Sequence, residues 1–482
     1  LTGATMTRTS LYETNFTGAN LTDTNLTGAD IFAQSFYQAN LSGAKLTGAI
    51  MYDVDLTGLD LQNANLTGVR STLIRATSLI LPAEWTLLNG HLLGPGANLS
   101  GADLSGTDLS GTNLQGALYD DNTLFPSGFG DPTSFGMSYL GAGANLSGMD
   151  LSGWSINVSL AGADLTDTNL TGANLGGINL NGANLSGADL SGAFLGGVRS
   201  GGIVGIPASL PNGWFLVQGY LVGQGADLFQ ADLAGANLSG INLSFAYMGD
   251  ANLADTDLSN ANLSRADLEH SDLSGATLFG ARIDNARMFN VDLTDAILTG
   301  ANLTGTGFEW SNLTRADLDD TELTSTNFDF ANLTEATLSN ADLDESRFYK
   351  ANLTGANLSN VRAPNQIELT SALLTDVTLT GSNLSGAFLE NITTGGIVGT
   401  PQQVPDGWKL INGYLIGNRG SLRDADLSGV DLSGANLEGV FSGGITGTPS
   451  ALPPNWGLVN GYLIGERAML RDADLNGADL SG

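Results

Sequence analysis

Apolar residues occupy every fifth position over most of this chain. The series opens with Leu1, Met6, Leu11, Phe16, Leu21 and Leu26, and its longest unbroken run goes from Leu228 to Leu358. A spacing of five matches neither the helical period of about 3.6 nor the strand period of about 2, so neither a regular helix nor a long strand keeps these residues on one face. A shorter unit does. In Ala-Asp-Leu-Ser-Gly, Ala and Leu are two apart and share a face, the Asp or Asn between them points the other way, and Ser/Thr-Gly supplies a turn. Each pentapeptide therefore reads as a three-residue strand and a corner. Corners that all bend the same way wind the chain into a solenoid, with Ala and Leu inside and the Asx, Ser/Thr and Gly positions outside.

A single coil of this kind cannot stand alone, because burying a few Leu side chains offsets too little of the entropy lost in ordering its backbone. Coils stacked about 4.8 Å apart satisfy one another's backbone groups and align their Leu side chains into one core. Proline tests this reading within the sequence, since it lacks the N–H that a ladder needs and is expected only off the coil sides. All twelve Pro lie where the five-residue register is interrupted, and the stretches 1–70, 145–200 and 226–360 contain none.

The segments ANLSGADLSGTDLSGTNL (97–114) and ADLTDTNLTGANL (163–175) resemble the pentapeptide-repeat family. The resemblance implies an all-β fold, a right-handed quadrilateral β-helix with about four pentapeptides per coil; the count of four comes from the resemblance and not from the spacing. Phe308, Phe328, Phe348 and Met248 at the repeat centre are substitutions that the family tolerates. The expectation is one continuous solenoid over 1–482, with Pro/Trp-containing inserts at its corners. The inserts are placed at 71–97, 117–143, 200–225, 361–369, 394–420 and 442–467.

Four of the interruptions are copies of one sentence: 71–94, 200–223, 394–417 and 442–465 align without gaps. They share Pro, then Trp three residues on, then Gly five further, as in Pro211/Trp214/Gly219 and Pro453/Trp456/Gly461. Each copy is expected to leave a corner, fold its aromatic residues over the neighbouring coils and rejoin as a strand. A sharper reading makes Trp85, Trp214, Tyr220, Trp408, Tyr414, Trp456 and Tyr462 contacts for a partner, because Trp and Tyr dominate interface hot spots. The irregular separation of the copies argues against a periodic binding surface. In the first copy His91 stands where the others have Tyr. The insert at 117–137 is similar to the Asn-Thr-x-Phe-Pro-x-Gly-Phe loops of other pentapeptide proteins, and 361–369 holds a slip of one residue.

Charge narrows the partners. With 17 Lys and Arg against 49 Asp and Glu the formal charge is −32, which argues against gripping nucleic acid phosphates or an anionic lipid surface. No apolar run approaches the roughly 20 residues of a membrane span. There is no cysteine, and His91 and His270 are the two histidines. No nucleophile–base pair stands out and carboxylates such as Asp103, Asp164 and Asp189 simply follow the repeat, so no catalytic, cofactor-binding or metal residue is assigned and no small-molecule substrate is expected. Calcium on stacked outward Asp is weighed, but neither an EF-hand spacing nor a Gly-Gly-x-Gly-x-Asp repeat is present.

The reading that follows is a non-catalytic structural or interaction protein. It is expected to be a rigid acidic rod, part of a longer extracellular or cell-surface fibre or spacer, whose partners are other copies joined end to end; the repeat pattern reaches both Leu1 and Gly482. The alternative comes from the resemblance, which includes cytoplasmic DNA mimics that bind type II topoisomerases. Charge density speaks against it. Wound at about twenty residues per coil, the chain would carry roughly one net negative charge per 3–4 Å, against about one per 1.7 Å in DNA.

Overall fold

In a computed structural model of the chain, residues 1–33, 36–471 and 473–477 are described; the final pentapeptide at 478–482 lies outside them. The fold is all-β, a right-handed quadrilateral β-helix with no α-helix among the described residues. None of these residues forms a helix long and apolar enough to cross a membrane. Thr5 pairs with Asn25, Asn252 with Asp272 and Asn332 with Asn352, all parallel and twenty residues apart, so four pentapeptides make one coil.

The five backbone N–H groups of a repeat each have a fixed destination, which explains why the repeat reads as it does. Taking the repeat around Leu26, Asn25 N–H donates to Ala4 O of the coil before, and Leu26 N–H and Gly28 N–H donate to Lys45 O and Thr47 O of the coil after. Ala29 N–H closes the corner onto Leu26 O. Only Thr27 N–H is left over, and the Asn25 side chain accepts it through Oδ1 at 3.1 Å. Asn and Asp serve this Asx turn equally well, which is why the position alternates between them. The corner residue takes a positive φ, 64° at Gly28, and Gly is its least strained occupant.

The chain forms two compact units, Leu1–Asp227 and Leu228–Gly482. In the first, coils built on Leu11 to Leu92 enclose a core that includes Phe16 and Phe36, stacked at 5.2 Å. The stretch at 117–143 fills a coil instead of adding one, since Leu118 pairs with Ser138 in the ordinary register. Its Phe125, Phe129 and Phe135 stack on one another outside the core at 4.8 and 4.4 Å. Beyond Leu140 the run turns back and lies against the first coils. Arg8 Nη1 donates to Gly192 O at 3.0 Å, while Gly28 faces Gly153 and Gly48 faces Trp154 so closely that a Cβ would meet the opposing backbone at 2.4 and 2.7 Å. The Trp154 indole fills the space over Gly68 and is 2% exposed. This third run is one residue short in one coil: Asn145 pairs with Asp164, and the centres read Leu151, Ile156, Leu160.

The second unit holds the uninterrupted run. Phe308, Phe328 and Phe348, each twenty residues from the next, stack inside it at 5.1 and 4.8 Å with no exposed area. The slip at 361–369 adds one residue, as Arg347 pairs with Glu368. Where Ser or Thr replaces the inward Ala, the buried hydroxyl donates to a carbonyl, either of the preceding coil, as Thr306 Oγ1 to Ile283 O at 2.8 Å and Thr326 Oγ1 to Leu303 O at 2.9 Å, or three residues back in its own, as Thr321 Oγ1 to Leu318 O at 2.6 Å.

All four copies of the Pro-Trp sentence are the same device. Each lengthens its coil to 28 residues, with Arg70 under Asn98, Arg199 under Asp227, Thr393 under Ser421 and Phe441 under Met469. The excess forms an antiparallel hairpin such as Phe215–Val217 with Tyr220–Val222, or Lys409–Ile411 with Tyr414–Ile416. Its two turn residues both have positive φ, 46° and 79° at Asn412-Gly413, the type I′ geometry whose twist suits a hairpin. A buried hydroxyl on the coil beneath clamps the returning strand. Ser71, Ser200, Thr394 and Ser442 accept the N–H groups of Leu92, Leu221, Leu415 and Leu463 at 2.7, 2.8, 3.3 and 3.0 Å.

Candidate interaction surface

The insert aromatics sit where their own hairpins hold them. Trp85, Trp214, Trp408 and Trp456 lie flat on Gly94, Gly223, Gly417 and Gly465, where an added Cβ would fall 2.2–2.5 Å from the ring. Tyr220, Tyr414 and Tyr462 rest over Gly201, Gly395 and Gly443. The first copy changes both partners together: Thr72 replaces that Gly, and the slimmer, buried His91 replaces Tyr, with its Nδ1 2.7 Å from Ser71 O. All seven Trp and Tyr are half-buried, so each leaves one edge at the surface while its ring packs the flap. Gly417→Val is expected to push Trp408 outward, and a red-shifted indole emission with little change in far-UV dichroism is the readout.

Because residues twenty apart stack, each side of the second unit reads as a column. The side centred on Leu293, Leu313, Leu333 and Leu353 is a closed polar lattice. Asn312, Asn332 and Asn352 donate through Nδ2 to Thr294, Thr314 and Thr334 of the coil before at 2.7–2.9 Å. Each Asn also accepts the hydroxyl of its own Thr at 2.6–2.7 Å. Side chains so engaged have little left to offer a partner. Asn332→Asp keeps the acceptor and loses the donor, setting a carboxylate against Asn312 Oδ1; we expect a loss of about 1–3 kcal/mol in denaturant unfolding.

Several aspartates at the same repeat position are held in the charged form, whereas burial pushes Asp30 up. Ser191 Oγ at 2.6 Å, then Ser209 Oγ, then Ser191 N–H at 2.9 Å bond to Asp189 and lower it to about 2. Asp103, Asp164, Asp257 and Asp431 are lowered by the hydroxyl and N–H two residues on. A carboxyl lowered in the fold binds its proton more readily once unfolded. Its contribution to stability is complete above the unfolded value near 4 and disappears as pH falls towards about 2. Carbon-detected titration is expected to show Asp189 ionised at pH 3.

The side centred on Met248, Leu268, Met288, Phe308, Phe328 and Phe348 breaks the pattern. Its outward positions and flanking corners collect Phe245, Tyr247, Phe289 and Trp310, between 39% and 56% exposed, with Phe330 and Tyr349 beside them. Trp310 and Phe330 stack at 4.3 Å and 3°. Tyr349 meets Phe330 edge-on at 5.4 Å, and Lys350 Nζ lies 5.5 Å from the same ring. These two rings occupy corner positions with φ of 64° and 63°, where a bulky residue costs about 1 kcal/mol relative to Gly. Nothing in the coil requires them there.

Charges thread the same side. Arg287 bonds Asp267 at 3.0 Å and also Glu269; Arg347 bonds Asp329 at 2.7 Å; Glu309 accepts from Asn327 at 2.6 Å. Gly307 supplies no side chain at an outward position, and the gap is a cleft of about 380 Å³ lined by Glu269, Arg287, Met288, Phe289, Gly307 and Glu309. His270 packs edge-on against Phe289 at 5.6 Å. Among the described residues no group of three or more His, Asp or Glu is placed to hold a metal ion. The aromatic side was written in the sequence as neighbouring positions of successive twenty-residue coils, a register that the five-residue spacing does not reveal.

Comparison with known proteins agrees with this architecture. The family described as pentapeptide repeats matches 1–31, 35–70, 95–118, 159–199, 224–360 in overlapping segments, and 418–440, more than half of the chain. No curated protein matches. Among solved structures, the chain is similar to HetL, a pentapeptide repeat protein involved in heterocyst differentiation regulation in the cyanobacterium Nostoc sp. strain PCC 7120. The two are 27% identical over 51% of this chain and 90% of that one, with a TM-score of 0.27. A pentapeptide repeat protein from the Arabidopsis thaliana thylakoid lumen is 32% identical over 22% of this chain and 63% of its own, TM-score 0.10. QnrB1, a plasmid-mediated fluoroquinolone resistance protein, is 17% identical over 45% and 81%, TM-score 0.21. The repeat, its twenty-residue coil and the family match together make this chain a member of the pentapeptide-repeat family.

Proposed function

We propose that the protein is a non-catalytic scaffold that acts through protein contacts, and that the aromatic side of its second unit is the contact surface. One observation carries this: the Asn/Thr side spends its polar groups on its own lattice, while the side bearing Phe289 and Trp310 places apolar rings and a cleft in solvent at a cost to the fold. Aromatic residues and Arg in one patch are the composition of interface hot spots. The strongly acidic surface, with Lys at three positions, suits a protein outside the cell or on its surface, where end-to-end joining of copies remains part of this reading.

A photo-reactive phenylalanine analogue tests it, placed at Phe289 or, as control, at Thr334. Irradiation in the native host is expected to give protein adducts from position 289 and none from 334. Equal labelling at both, or none at either, overturns the assignment.

A further inference from the structure

We infer that the aromatic side of the second unit binds a second copy of this chain, side by side and antiparallel about a two-fold axis. The inference rests on the reading of that side as the contact surface and names its occupant.

Charge selects the partner and its direction. Two chains of −32 repel, so pairing needs cations within the contact, and Arg287, Arg347 and Lys350 lie on this side among the exposed rings. Their order along it is uneven. Asp250, Asp267 and Glu269 stand on the early coils and Arg347 and Lys350 on the last, with Arg287 and Glu309 on adjacent coils in the middle. A parallel copy sets like against like. A two-fold axis across the solenoid between the coils of Arg287 and Gly307 reverses coil order and keeps each residue's place across the face, so it sets Asp250 opposite Lys350, and Arg287 over the gap at Gly307 within reach of Glu309 two residues on, twice over by symmetry. It also brings Phe289 of each chain over Glu309, at the rim of the cleft in the other. The intervening carboxylates, Glu269 and Asp329, face each other, each in an ion pair of its own chain with Arg287 or Arg347, which they share with the carboxylates of the other chain. Lateral packing of two coils has a precedent within this chain, where the first unit buries Trp154 between side-by-side runs.

Sedimentation equilibrium of the full chain tests the pairing. The expected result is a monomer–dimer equilibrium that Gly307→Gln abolishes by filling the cleft. That position is outward, has ordinary φ and holds Arg287 and Asn327 in the coils on either side; a Cβ there meets only the end of the Glu309 side chain, at 2.7 Å, which swings aside, so the backbone of the coil is kept, as an unchanged melting curve verifies. Arg287→Glu weakens the dimer about tenfold or more, and Glu309→Arg added to it restores association. A monomer up to about 100 µM overturns the inference. If the position-289 adduct then contains another protein, the contact surface survives and only its occupant is wrong; if it contains nothing, both fall. A dimer indifferent to Gly307→Gln and Arg287→Glu also overturns it.

Discussion

Phe328→Ala is expected to destabilise the second unit by about 3–5 kcal/mol, the range for removing a large buried aromatic ring. Phe328 is the middle ring of three, at 5.1 Å from Phe308 and 4.8 Å from Phe348, with no exposed area. Its loss leaves a cavity that the outer two rings cannot close, because each is held by its own coil's ladder: Phe308 N–H to Asn327 O at 2.7 Å and Phe348 N–H to Glu368 O at 2.6 Å. Solenoid stability is a sum of neighbouring contacts, so the damage is local. Hydrogen exchange is expected to rise across roughly 300–360 and stay unchanged in the first unit. Phe328→Leu, which keeps most of the volume, is expected to cost less than about 1.5 kcal/mol.

Trp154→Ala is expected to have a comparable effect, about 3–5 kcal/mol, by a different route. Trp154 stands at an inward Ala position, and its ring covers Gly68 of the opposing run. Deleting it removes the main side chain that joins the two runs, so limited proteolysis in the first unit is expected to accelerate along with the lower unfolding midpoint. The ring's Nε1 is buried without a hydrogen-bond partner. Trp154→Phe gives up some packing and sheds that unmet N–H, so its cost is expected to be well below that of Ala. Equal losses for Ala and Phe would show that the indole is not held as described.

The all-β solenoid, the inward Ala and Leu and the exclusion of Pro from coil sides were legible because they follow from five consecutive residues. Each pentapeptide satisfies its own corner through Asx and Gly, so local chemistry suffices. The number of pentapeptides per coil was also present, in the twenty-residue spacing of Phe308, Phe328 and Phe348, whose rings stack because they sit in successive coils. The four Pro-Trp copies announced a return strand, but the hydroxyls of Ser71, Ser200, Thr394 and Ser442 that clamp it look like any other repeat Ser or Thr until a hairpin lies over them.

By itself, then, the sequence determined the winding of this chain and the composition of its core, because a period of five leaves no regular helix or long strand able to bury those residues. Only the tertiary structure decided which outward residues become neighbours. Phe289 and Trp310 are twenty-one positions apart yet belong to one patch; Thr314 is only four positions from Trp310 in sequence, and it faces another side. Trp154 reads as a misplaced Ala until the chain turns back beyond Leu140 and brings Gly48 and Gly68 against it. The physical reason is the same in both cases: corners and ladders are set within a coil, whereas surfaces are made by stacking and by folding back, and those contacts join residues that no local pattern links.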